Sequence, residues 1–155
     1  MSDSPDWVFY RDEKLTEAEV MPRLVAAFPG FRPRWEEHLA YWKGASAGNY
    51  GDLAEFVHFV VEDLYPNGQS EDVQRVFGLM EKWLVDGSQA VRGLVVIGFL
   101  ETLQNVASWQ AFGKVAFIPF LGPKSREAWD DVERMWAGKS SLFEVIRAER
   151  KQGDS

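Results

Sequence analysis

Over most of this chain apolar positions recur with the period of amphipathic helices. The densest run is Ala90 to Gln104, AVRGLVVIGFLETLQ. Its apolar side chains occupy every direction of a helical wheel except near Arg92, Glu101 and Gln104, which predicts a buried helix with the core built around it. Val91, Leu94, Val95, Phe99, Leu100 and Leu103 are expected among the most buried residues. Gly93 and Gly98 each weaken a helix by about 1 kcal/mol relative to Ala, so their presence implies close approach of neighbouring backbones.

The remaining pattern divides into further helices. Thr16 and Glu19 have the spacing of a capping box, with Leu15 and Val20 placed to staple it, and Val20, Met21, Leu24, Val25 and Phe28 form one stripe interrupted by Pro22. After Pro29-Gly30, Pro33 opens a second helix carrying Trp35, Leu39 and Trp42, and the two are expected to form a hairpin. A small-residue loop, Ala45 to Gly48, leads to a third helix with Leu53, Phe56, Val57, Val60 and Leu64 inward, stopped by Pro66-Asn67-Gly68. Ser70 caps a fourth, with Val73, Val76, Phe77, Met80, Trp83 and Leu84 on its stripe, and Gly87 closes it one turn before the central helix.

From Val106 to Pro123 the period breaks into an irregular crossover with room for a short strand or helical turn. Ser125 is expected to cap a helix carrying Ala128, Trp129, Val132, Met135 and Trp136, and Ser141 with Glu144 to cap a short terminal one. Residues 1–12 form an arm and 148–155 a polar tail. The whole reads as one all-α domain over 1–155, a compact bundle of six or seven helices around the helix at 90–104.

Composition narrows the function classes. A chain of 155 residues buries roughly 68–70% of its unfolded surface and needs no staple. There is no cysteine, which excludes disulfides, thiolate metal sites and cysteine nucleophiles. No secretory leader is visible in MSDSPDWVF, and the apolar run Leu94 to Leu100 is far shorter than the roughly 20 residues a bilayer crossing needs, so a cytoplasmic location is expected. Seventeen basic residues against 24 acidic give a net charge of −7, which disfavours nucleic acid and anionic membranes and favours a basic protein partner.

Candidate chemistry is sparse. Glu55 and His58 have the Glu-x-x-His spacing of di-iron bundles, but one copy supplies too few ligands, so no metal or cofactor is expected. Glu101 on the apolar central helix suits a buried acid, either paired with Arg92, Arg75 or a loop amide or acting as a general acid, with no nucleophile or base at a defining spacing. Gly122-Pro123-Lys124-Ser125 lacks the glycines of a phosphate loop and reads as a helix entrance. Trp35, Trp42, Trp83, Trp129 and Trp136 fall on stripes and are expected in the core, whereas Trp7 and Trp109 do not. The tightest concentration of charge is Glu62, Asp63, Glu71 and Asp72 around the Pro66 turn, with Tyr65 as an aromatic anchor, a composition that suits docking on a basic protein.

The segment Ser70 to Gln104, followed by FIPFLGPKSREAWDDVERMW from Phe117 to Trp136, resembles a family of small bacterial all-helical domains of unknown function. Such proteins are similar to immunity proteins that neutralise secreted polymorphic toxins. The resemblance covers the C-terminal two-thirds and rests on FLETLQN and FLGPKSREAW. It implies a helical fold and neutralisation of a cognate toxin by direct binding, and it carries over no functional residue. The alternative is a small helical enzyme or ligand-binding domain using Glu101 or the Glu55/His58 pair.

Overall fold

The structure, a computed structural model, describes residues 15–44 and 47–153, with side chains to Gly138; the arm at 1–12, including Trp7, lies outside the described residues. Seven α-helical stretches and no strand are found among them. Helix α1 is Glu17–Ala27 and α2 is Arg32–Tyr41, with a 3-10 turn Pro29–Phe31 between them. Helix α3 is Asn49–Phe59, continued in π geometry through Val60–Leu64, and α4 is Ser70–Asp86. Helix α5, Gln89–Ser108, joins two α stretches through a π segment, Leu94–Glu101. A 3-10 turn, Lys114–Phe120, leads to α6, Pro123–Gly153.

The capping box forms as expected, with the Thr16 N–H and hydroxyl donating to Glu19 Oε1 at 3.2 and 2.9 Å, and Leu15 and Val20 both buried over it. The helix runs through Pro22 from this start. Helix α2 does not pair with α1 as a hairpin. Both pack on α3.

The centre of the core is α5, held chiefly between α3 and α6. Val91, Leu94, Val95, Phe99, Leu100 and Leu103 are each at most 1% exposed. The Phe99 ring meets Phe77 edge-on at 5.4 Å, and Phe56 lies at 6.5 Å from it. Gly98 explains itself, because a Cβ there would come within 3.0 Å of Leu53 and 3.2 Å of Tyr50 on α3. The helix is long and apolar enough by length and composition to cross a bilayer, a property it shares with core helices, and half of it is buried in the bundle. Its other face reaches the surface at Ala90, Arg92 and Ile97.

Three expectations fail for physical reasons. Helix α2 has no fully buried residue and Trp42 is 46% exposed, because only Trp35 of its stripe packs against the core and charge supplies the rest of the attachment. Trp136 and Met135 are 44% and 37% exposed, since Trp136 lies at the open edge of a cleft with Gln104, Asn105, Ser108 and Lys114. The restart at Ser141 does not occur, since the backbone stays helical to Gly153. A serine and a glutamate three residues apart cap a helix only where the backbone leaves the helical basin before them.

Candidate partner-binding site

The acidic residues of α3 form a stripe, Asp52, Glu55, Glu62 and Asp63, that faces Arg34 and His38 one turn apart on α2. Arg34 Nε donates to Asp63 Oδ2 at 2.9 Å, and Nη2 donates to Asp63 Oδ1 at 3.2 Å and to Glu62 Oε1 at 2.9 Å. Its Nη1 lies 3.5 Å from Glu55. The fork geometry suits a planar guanidinium. The hydrogen bonds to Asp63 hold Arg34 firmly in its charged form against the cost of burial. His38 Nε2 and Asp52 Oδ1 are 2.8 Å apart, both nearly buried, and the imidazole stacks on Trp35.

His58 Nδ1 lies 2.8 Å from Glu62 Oε2. Burial pushes the Glu62 carboxyl up, but its bonds to His58 and Arg34 outweigh this and leave it below its ordinary value. Both histidines of the chain are therefore tied into one polar seam. Sequence reading missed Arg34 and Asp52. The signal existed, in acids at i, i+3 and i+10 on one helix opposite bases at i and i+4 on another.

The five residues expected to bind a partner separate. Glu62 turns into the seam, and Asp63 serves both the seam and a neighbouring cleft of about 280 Å³. Asp72 lines the same cleft and accepts from Arg75 Nη1 at 3.0 Å. Glu71 is exposed beside it, on a shallow groove with Gln74 and Phe120. Tyr65 is half-buried, its ring 4.7 Å from Phe112 and 4.9 Å from Phe117, so it anchors the turn to the protein's own body. The Asn67 side chain closes the turn by donating to the Asp63 carbonyl at 2.7 Å.

The alternative chemistry finds its residues dispersed. Glu55 faces Arg34 and His38, while His58 bonds Glu62 instead of sharing a ligand with Glu55. Among the described residues no group of three or more His, Asp or Glu is arranged to hold a metal ion. Glu101 is half-buried at the end of the π segment. Its expected partner Arg75 is taken by Asp72 and by the Ala27 carbonyl at 3.0 Å. None of Glu101, Glu55 and His58 lines that cleft or that groove.

The helix entrance at Gly122 to Ser125 is filled from within. Glu81 of α4 accepts the backbone N–H of Lys124 at 2.9 Å and of Ser125 at 2.8 Å, and the Ser125 hydroxyl at 2.9 Å. Ser125 is not the cap itself. It sits at the third helical position and its Oγ accepts the Gly122 N–H at 2.8 Å. The end that draws an anion is thus already occupied by a carboxylate of the chain. Burial pushes the Glu81 carboxyl up, but the hydrogen bonds from Ser125 and Lys124 prevail and hold it below the ordinary range.

Fold and site together define an all-α bundle whose chemistry-bearing side chains are mostly paired with one another, leaving a cleft and an acid-rich rim at the α3–α4 turn. The chain belongs to the family described as a domain of unknown function, DUF7674, whose sequence model matches residues 21–137. No curated protein and no solved structure matches it.

Proposed function

We propose that the protein acts by binding another, basic protein, and most concretely that it is a bacterial immunity protein that neutralises a cognate toxin by direct contact in the cytoplasm. One observation carries this reading. Around the α3–α4 turn, the described residues Glu55, Glu62, Asp63, Glu71 and Asp72 meet two guanidinium groups, Arg34 and Arg75, and the imidazoles of His38 and His58, so acids outnumber the permanent cations paired with them. The overall charge of −7 points the same way. Such a field steers a basic partner into encounter more than it holds the partner afterwards.

The test is association kinetics with the protein encoded by the adjacent reading frame, at two ionic strengths, for wild type and for Glu71→Lys combined with Asp72→Lys. Association is expected to slow in high salt and in the reversed variant, with dissociation changed less. Identical association rates in all four cases would remove this face from the interface, and failure to bind or protect against any such product would remove the immunity reading.

A further inference from the structure

Helix α5 carries the densest apolar run of the chain, yet one of its faces stays open. Gly93 and Ile97 stand one turn apart on that face, and Ile97 is 41% exposed. Tyr50 of α3 lies along its edge and is 51% exposed. A Cβ at Gly93 would meet the Tyr50 hydroxyl at 3.6 Å and one at Gly98 would meet its Cδ1 at 3.2 Å, so the ring runs between the two glycines. Exposed apolar surface that is contiguous in this way marks a place where something binds.

The chain supplies an occupant close by, the aromatic segment Trp7-Val8-Phe9-Tyr10 of the arm. The described residues begin at Leu15, whose carbonyl accepts the Ser88 N–H at 3.3 Å at the foot of α5. The Asn49 side chain, next to Tyr50, donates to Glu17 at 3.1 Å. The chain before Leu15 therefore starts beside the first turns of both α3 and α5. From Ser88, Gly93 and Ile97 lie about 8 and 13 Å along the helix. Extended backbone spans about 3.3–3.6 Å per residue, so Tyr10 and Trp7, five and eight positions before Leu15, reach at most about 18 and 29 Å. The segment brackets the open face. Trp109, 82% exposed at the other end of α5, stands about 30 Å from Ser88, beyond the reach of Tyr10.

We propose that Trp7–Tyr10 docks on this face, its rings against Ile97, Gly93 and Tyr50, so that the chain itself covers α5 on the side the bundle leaves open. Burial of large aromatic side chains offsets the ordering of so short a segment. The helix whose length and composition suit a bilayer is then withheld from membranes and from partners alike on this side. The inference is independent of the acidic rim and of the partner-binding reading.

The test follows backbone amide and indole N–H signals of the full chain by NMR. Trp7→Ala combined with Phe9→Ala removes two rings and is expected to shift the amides of Tyr50, Gly93, Val96 and Ile97, leaving those of the α3–α4 turn unmoved. Conversely, Ile97→Ser, a change at a half-exposed site, is expected to shift the Trp7 indole signal, which is assigned by its loss in Trp7→Phe. Both effects should persist on dilution. Shift changes in the double variant that are confined to the residues before Glu17, or that fall at Val85 or Trp109 instead, would overturn the assignment, as would a Trp7 indole signal unmoved by Ile97→Ser. Loss of the α5 shifts on dilution would overturn it too, since the face would then be covered by the arm of a second copy.

Discussion

The contact between Glu81 and the start of α6 offers the sharpest test of the structure, because two residues 41 apart in sequence should fail as one. Gly122 precedes the helix, and a Cβ built there would fall 2.6 Å from Glu81 Oε1 and 2.7 Å from its Cδ. No backbone atom lies as close, so in Gly122→Ala the Glu81 carboxylate is what must yield, and it then loses its bonds to Lys124 and Ser125. Loss of a helix cap costs about 0.5–2 kcal/mol, and the buried position of Ser125 raises this, since an unpaired buried donor costs about 1–3 kcal/mol. Glu81→Ala and Gly122→Ala are each expected to destabilise by about 2–3 kcal/mol, a fall of about 4–12 °C in Tm for a chain of this size. In the Glu81→Ala background the three atoms nearest the added methyl are gone, so Gly122→Ala should cost under about 1 kcal/mol, its main remaining penalty being that alanine caps a helix less well than glycine. Urea unfolding followed by tryptophan fluorescence and by helical circular dichroism measures all four proteins of the cycle. Additivity within about 0.5 kcal/mol would show that the two residues do not meet as described.

Phe99→Ala should cost about 3–5 kcal/mol, as for a closely packed aromatic, and a loss below about 1.5 kcal/mol in the same urea assay would mean the core around Phe77 and Phe56 is loose. Arg34→Ala leaves Asp63 and Glu62 without their shared cation and should cost about 1–2 kcal/mol; because α2 has no fully buried residue, hydrogen exchange should accelerate across Arg32–Tyr41 and little elsewhere. Glu81 and Glu62 both titrate below the usual value of 4.5 in the folded chain, so their stabilisation is present above that value and is lost as pH falls through their lower folded values. Urea midpoints between pH 7 and 3 should therefore decline on the acid side, less steeply in Glu81→Gln. Calorimetry with iron, manganese and zinc should detect no stoichiometric binding, and binding abolished by His58→Ala would revive the enzymatic alternative.

The parts of the fold that sequence conveyed were those where apolar period and burial coincide. On α3, Leu53, Phe56, Val57, Val60 and Leu64 are all nearly or fully buried, as their spacing implies. Period says nothing about how far a neighbour covers a stripe, which is why Trp136 lies on the stripe of α6 and is still 44% exposed, at the edge of a cleft with Gln104 and Lys114. Nor does it reveal contacts between distant segments. Tyr65 looked like a free anchor at an acidic turn, but the rings that cover it, Phe112 and Phe117, come from the stretch where the period breaks and the path of the chain could not be read. Gln104 was expected as a polar interruption of the central helix and is 4% exposed, its Nε2 donating to the Trp129 carbonyl at 3.2 Å.

That last contact bears on where function resides. The segments FLETLQN and FLGPKSREAW, on which the family likeness rests, meet each other through Gln104 and Trp129. Their remaining residues are largely consumed in the same way: Leu100, Leu103 and Trp129 are buried, and Gly122 and Ser125 sit beneath Glu81. The family match over residues 21–137 takes in both this scaffold and the rim at the α3–α4 turn. The rim around Asp63, Glu71 and Asp72 stands on that scaffold through Tyr65 and Asn67, without contributing a buried side chain itself. A charge on this rim outside the pairs with Arg34 and Arg75, such as Glu71, can change with little effect on the core, since surface substitutions away from packed or paired groups alter stability by about 0.5 kcal/mol or less. Glu71→Lys should accordingly leave the urea midpoint nearly unchanged while altering association with a basic partner, and a midpoint shift worth more than about 1 kcal/mol would place Glu71 in the scaffold instead.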